Sequence, residues 1–78
     1  MRGGTMSAKV WCRLGNGTEH EELHPTEEAA NQALTRTLET HRKRGHKVSE
    51  RLLEQDRRLQ YTATDGNGHL VAMYQIVE

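Results

Sequence analysis

The most reactive side chains in this sequence are five histidines and one cysteine. Histidine binds metals and transfers protons, and a pair spaced four residues apart, such as His20 and His24, can share a metal ion on a helix. The segment that contains this pair is instead predicted to be extended, and in a strand the two side chains lie about 13 Å apart. His41 and His46 flank the end of a predicted helix, and His69 begins a predicted strand. We therefore expect no metal ion and no other cofactor.

Cys12 is the only cysteine, so the chain forms no internal disulfide, which favours a reducing compartment. A catalytic thiol would need a histidine as its base. Cys12 instead alternates with Val10 and Leu14 on one face of a predicted strand, where a buried thiol acts as a small apolar side chain. The sequence also has no arrangement of paired carboxylates that predicts acid–base catalysis. We expect no catalytic residues and no enzymatic activity.

A cluster of basic residues near the middle of the chain, Arg42 to Arg44 with Lys47, permits two interpretations. Its cations, to which Arg57 and Arg58 could add, are able to bind the phosphates of a nucleic acid. The same charges suit the C-terminus of a helix, where the helix dipole favours cations. Because the formal net charge is zero and only 4% of the residues are aromatic, we keep nucleic-acid binding as the alternative. The residues assigned to this alternative are Arg42, Lys43, Arg44 and Lys47.

One segment, between Pro25 and Gly45, is long and regular enough to predict a helix. Thr26 is the expected N-cap, acidic residues follow it, basic residues occupy the last turn, and Gly45 suits the C-terminal cap. A helical period places a narrow face of five residues on one side. That face can cover one side of a sheet but cannot form a core alone. It consists of Ala30, Leu34, Thr37, Leu38 and His41.

Alternation of apolar and polar residues predicts five strands. A short helix over Ser49–Asp56 is the alternative to the third strand. Gly15–Gly17, Gln55–Arg58 and Asp65–Gly68 are predicted turns, and the last has neither the acidic residues of an EF-hand nor the Lys-Ser/Thr pair of a P-loop. The predicted strands are Ala8–Leu14, Thr18–His24, His46–Leu53, Leu59–Thr64 and His69–Val77.

These elements predict an α+β fold in which one helix packs across one face of an antiparallel β-sheet, in the order β-β-α-β-β-β. Residues 1–7 are expected to be a flexible N-terminal segment and residues 8–78 a single small domain. No segment is apolar over the roughly 18 residues that a membrane span needs. The predicted core is Val10, Cys12, Leu14, Leu34, Leu38, Val48, Leu52, Leu59, Tyr61, Leu70, Ala72, Tyr74 and Ile76.

The face of the sheet opposite the helix carries more apolar side chains than a fully solvated face does. Such a face indicates a protein partner, and Trp, Met and Arg are enriched in binding surfaces. We therefore expect a small, non-catalytic, cytoplasmic interaction module of accessory or inhibitory type. Its expected partner is a second copy of itself, because so small a core gains from self-association. The predicted interface residues are Trp11, Arg13, Leu53, Val71, Met73 and Val77.

Overall fold

The structure is a computed structural model that describes residues 7–54 and 58–77. It confirms the predicted α+β class, the order β-β-α-β-β-β and the strand, rather than helix, after Gly45. The predicted flexible segment, except Ser7, and the turn predicted at Gln55–Arg58, except Arg58, lie outside the described residues. The elements are β1 (Ala8–Leu14), β2 (Glu19–His24), α1 (Glu27–Lys43), β3 (Lys47–Leu53), β4 (Arg58–Thr64) and β5 (Leu70–Val77).

The five strands form one sheet in the order β2-β1-β5-β4-β3, with every neighbouring pair antiparallel. Thus the β1–β2 hairpin and the β3–β4–β5 meander are joined where β1 pairs with β5. The most hydrophobic strand, β5, occupies the centre, where both of its edges are hydrogen-bonded. The edge strands of the described sheet, β2 and β3, carry the most charged residues, which suits edges that face water.

The ends of α1 are capped as the sequence predicts. The Thr26 hydroxyl accepts a hydrogen bond from the Ala29 backbone N–H at 3.0 Å. Glu27 and Glu28 lie in the first turn, and basic residues occupy the last. Gly45 follows with a φ of 82°, a conformation that glycine adopts without strain. These contacts set where the helix begins and ends.

The path of α1 follows from the strands that it connects. β2 ends at His24, which pairs with Ala8 at one end of the sheet. β3 begins at Lys47, which pairs with Thr64 at the opposite end and on the opposite edge. The helix therefore crosses the sheet diagonally. The core that it covers consists of buried Leu34, Leu38, Ala72 and Tyr74, with half-buried Val10, Cys12, Leu14, Val48, Tyr61, Val71 and Ile76 packed against them.

Three leucines that the sequence assigned to the core are exposed instead. Leu52 and Leu59 are 58% and 42% exposed and lie opposite each other near one end of the sheet. The diagonal path of α1 leaves this corner uncovered. Leu70, 37% exposed, lies at the start of β5 beside a register shift at Ala63/Thr64. Small side chains are buried in their place, including Ala8, Ala30 and Ala63.

Candidate protein interface and buried histidine–tyrosine chain

The predicted interface residues lie mostly on the face opposite α1. Arg13 pairs with Met73 across β1 and β5, and Trp11 pairs with Gln75. These residues alternate with those that face the helix. Val77 pairs with Lys9 on the same face, and Leu53 has the corresponding orientation at the end of β3. The register thus places five of the six predicted residues on one face: Trp11, Arg13, Leu53, Met73 and Val77.

Val71 differs from the other five, because it packs against the core cluster. It lies beside the register shift, where Ala63 pairs with Ala72 but Thr64 pairs with Leu70. β5 therefore has one more residue than β4 at this point, as in a β-bulge, and a bulge changes the direction of nearby side chains. Val71 contributes to the core and is a weaker candidate for the interface.

The open face, meaning the face of the sheet opposite α1, has an apolar centre and a polar surround. Trp11, Met73 and Val77 are half-buried on the adjacent interior strands β1 and β5. The indole N–H of Trp11 donates to Glu19 Oε1 at 3.0 Å, which fixes the edge of the ring. Gln75 lies between Met73 and Val77 on β5, Lys9 and Arg13 flank Trp11 on β1, and Gln60 and Thr62 lie beside them on β4. An apolar centre with a polar rim is the usual composition of a protein-binding surface.

Charge is distributed unevenly over the surface. Acidic side chains are exposed on β2 and at the start of α1, and basic side chains are exposed at the end of α1 and on β3. On the open face, the two edges of the sheet therefore carry opposite charges, while Glu50 is exposed on the helix side of β3 and the whole chain is neutral. The acidic residues are Glu19, Glu21, Glu22, Glu27 and Glu28, and the basic residues are Arg42, Lys43, Arg44, Lys47 and Arg51.

The cations of the nucleic-acid alternative are all exposed: Arg42, Lys43, Arg44 and Lys47. Arg42 and Lys43 lie in the last turn of α1, and Arg44 is its C-terminal cap. The helix dipole favours positive charge at this position, which accounts for the cluster without a ligand. Arg58 is half-buried at the start of β4, away from the cluster, and Arg57 lies outside the described residues.

A chain of hydrogen bonds joins the end of α1 to the sheet. His41 is only 8% exposed, and its Nε2 lies 2.7 Å from the hydroxyl of Tyr74. Its Nδ1 lies 2.9 Å from Nδ1 of His46. When both rings are neutral, one Nδ1–H donates to the other Nδ1, so each buried nitrogen of His41 has a partner. A proton on both rings would place two N–H groups against each other and break this contact.

The Tyr74 hydroxyl also shares a hydrogen bond with Cys12. Burial raises the pKa of the Cys12 thiol, and the hydrogen bond from Tyr74 only partly opposes this effect. Burial, together with Cys12, raises the pKa of Tyr74 to about 12. Both groups are therefore protonated near neutral pH, when Cys12 is a weak nucleophile. The hydrogen bonds that link His46, His41, Tyr74 and Cys12 therefore form a structural network.

We predict that the free energy of unfolding decreases as the pH falls below about 6.5, because of His41. Burial lowers the pKa of His41 from the ordinary 6.5, and the charges of His46 and Arg44 lower it further. The unfolded chain then binds a proton more readily than the folded chain. The stabilisation that comes from burying neutral His41 is complete above pH 6.5 and is lost as the pH falls through the lowered pKa of His41. Urea denaturation at several pH values between about 5 and 8 measures the effect.

Two histidine variants test this pH dependence. His41→Gln cannot titrate and should flatten the curve. His20→Gln is the matched control, since it removes an exposed imidazole from β2, and should keep the slope of the wild type. Tyr74 and Cys12 stay protonated over this range, since the pKa of each is raised. An unchanged slope in His41→Gln would rule out His41 as the cause.

The described residues contain no group of three His, Cys, Asp or Glu side chains that could hold a metal ion. His20 and His24 lie on β2, as predicted, where the spacing of a strand separates them. Within residues 7–54 and 58–77, no helix has the length and apolar character needed to cross a membrane.

Comparison of the chain with protein-family models, curated proteins and solved structures finds no match.

Proposed function

We propose that this protein is a small, non-catalytic interaction module that binds protein through its open face, as a homodimer, and acts as an accessory or inhibitory protein. The observation that supports this most is the position of Trp11, Met73 and Val77 on the adjacent interior strands β1 and β5. The one helix of the described residues covers the opposite face. A single-layer sheet with an apolar centre on its uncovered side gains stability when a second protein packs there.

The buried polar groups support a binding role rather than catalysis. The side chains with the most reactive chemistry, Cys12 and His41, are engaged with Tyr74 and lie on the helix side of the sheet. The raised pKa of Cys12 keeps its thiol protonated near neutral pH. A free thiol also suits the reducing conditions of the cytoplasm, where we place the protein.

A second copy is the simplest partner. Only seven apolar residues in the described part of the chain are buried, and four of them are alanines. A core of this size stabilises a domain only modestly, and a dimer buries further apolar surface. A two-fold axis would bury the open face of both copies at once, since each copy presents the same surface.

Nucleic-acid binding is the second candidate, because the cations Arg42, Lys43, Arg44 and Lys47 are all exposed. Binding to phosphates must weaken steeply as salt rises, which distinguishes it from an apolar protein contact. The acidic edge at β2 and the net charge of zero oppose a polyanion, so we favour the protein partner.

We predict that the purified chain is a dimer and that Trp11→Lys or Met73→Lys converts it to a monomer. Each change places a charge in the apolar centre of the open face, where burial of an unpaired charge is unfavourable. Light scattering over a micromolar dilution series gives the mass, and circular dichroism shows whether the helix is retained. Thr35→Lys is the matched control, because Thr35 is exposed on α1, away from the open face.

The control should remain dimeric. A wild-type chain that keeps its monomer mass of 8.9 kDa at high concentration would overturn the homodimer. Dissociation by Thr35→Lys, with no effect of Met73→Lys, would place the interface on the helix side instead.

A further inference from the structure

We infer that two copies pair face to face about a two-fold axis parallel to the strands, so that β2 of each copy lies over β3 of its partner. This arrangement rests on the proposed homodimer and specifies how its two open faces meet. It follows from the charges at the two edges of the open face and from the register of the sheet.

The edges of the open face carry opposite charges. Glu21 pairs with Trp11 and Glu19 with Arg13, so both carboxylates lie on the open face at the β2 edge. Arg51 pairs with Gln60, and Lys47 with Thr64, which places two cations on the open face at the β3 edge. These four charged side chains are exposed. The open face is therefore acidic at the β2 edge and basic at the β3 edge, and between them its apolar side chains alternate with Lys9 and Arg13 on β1 and with Gln75 on β5.

Two simple symmetries can stack this face on itself. A two-fold axis perpendicular to the strands lays β2 over β2 and β3 over β3, which opposes like charges at both edges. An axis parallel to the strands reverses the strand order and lays β2 over β3 of the partner. Opposite charges then meet at both edges, so electrostatics favours the parallel axis. β5 lies over its own copy, which brings the two Met73 side chains together near the axis.

The rows of the sheet support the same arrangement. Across the sheet, the register aligns one row of side chains on the open face: Glu21, Trp11, Gln75, Gln60 and Arg51. Under the parallel axis this row lies over its own reverse, so Glu21 meets Arg51 of the partner subunit and Trp11 meets Gln60 of the partner subunit. Aligned sheets cross at about 30°, which keeps these rows in contact near the centre.

The parallel axis also brings apolar side chains together in the neighbouring row of the open face, which contains Leu23 and Leu53. Leu23 is 66% exposed, the largest value among the exposed large apolar side chains of the described residues. It lies two residues from Glu21 on β2, and Leu53 lies two residues from Arg51 on β3. Under the parallel axis Leu23 therefore approaches Leu53 of the partner subunit. The two-fold axis also brings Lys9 near Arg58 of the partner subunit, twice per dimer, and the ion pair of Lys9 with Glu21 at 3.8 Å offsets these like-charge approaches.

Charge reversal tests the arrangement. Glu21→Arg and Arg51→Glu should each raise the dissociation constant about tenfold at low salt, because each opposes two pairs of like charges. A mixture of the two variants should restore wild-type affinity, because their heterodimer has opposite charges at both sites. The double variant E21R/R51E should form a homodimer as tight as the wild type. Sedimentation equilibrium of the single variants, the mixture and the double variant provides the four constants.

The alternative axis gives a different result. If Glu21 faces Glu21 and Arg51 faces Arg51, the wild type already opposes like charges, so neither single variant should raise the dissociation constant of its homodimer, and the mixture of E21R and R51E should bind more tightly than the wild type. That outcome, or four equal constants, would overturn the arrangement, while dissociation by Met73→Lys would still support the proposed homodimer. A wild-type chain that is monomeric throughout would overturn both.

Discussion

Leu34→Ala and Leu38→Ala are each expected to lower the free energy of unfolding by about 2–5 kcal/mol. The two leucines are 3% and 6% exposed and belong to the cluster in which α1 meets Ala72 and Tyr74 on β5. No larger apolar side chain of α1 can replace them, since Ala30 is the helix's remaining buried apolar residue. Urea denaturation followed by circular dichroism measures the loss.

Leu52→Ala is the matched control, because it removes the same atoms from a site that is 58% exposed. We expect a change within about 0.5 kcal/mol. A loss at Leu52 as large as that at Leu38 would mean that the uncovered corner is covered in solution, either by the helix or by a partner. Repeating the measurement at several protein concentrations separates these explanations, since only a partner makes the loss depend on concentration.

Local features of the sequence were sufficient to predict the elements. The helix predicted between Pro25 and Gly45 extends from Glu27 to Lys43, and the first strand agrees at both ends. The caps of a helix and the alternation of a strand depend on neighbouring residues, so they can be recognised without the tertiary structure. For the same reason, alternation placed Trp11 and Met73 on the correct face.

The order of the strands in the sheet could not be predicted from local features of the sequence. The wrong assignment of Leu52 and Leu59 to the core follows from that order. Alternation assigned Leu52 and Leu59 correctly to the side of the sheet that carries α1. Whether α1 reaches them depends on which edges β2 and β3 occupy. Because these strands lie on opposite edges, the helix crosses the sheet diagonally and leaves both leucines exposed.

Two features of the candidate sites depend on contacts that are distant in the sequence. Val71 was assigned to the interface from alternation alone, and the register shift beside Thr64 makes it part of the core. His41 and Tyr74 were both predicted on inward faces, but they are 33 residues apart, and nothing local indicates that their polar atoms meet. A histidine and a tyrosine among inward-facing positions were the available signal, because buried polar atoms need partners.

Gly15→Ala is expected to lower the free energy of unfolding by about 1–3 kcal/mol. Gly15 begins the turn after β1, and its backbone N–H donates to the Val71 carbonyl oxygen at 2.9 Å. A Cβ atom at this position would overlap the Leu70 carbonyl oxygen. Because backbone atoms cannot move aside as a flexible side chain does, the turn or the start of β5 would have to shift. Urea denaturation measures the loss.

Gly66→Ala is the matched control, since a Cβ atom there meets no other atom within 4 Å and the residue does not have a positive φ. We expect it to change stability by less than about 0.5 kcal/mol. Gly15→Ala should also weaken the dimer, because the same contact holds β1 against β5, and these strands carry Trp11 and Met73. If Gly15→Ala were as stable as Gly66→Ala, then β1 and β5 would not approach each other at Gly15 as closely as described, and the open face would lose the register on which the dimer depends.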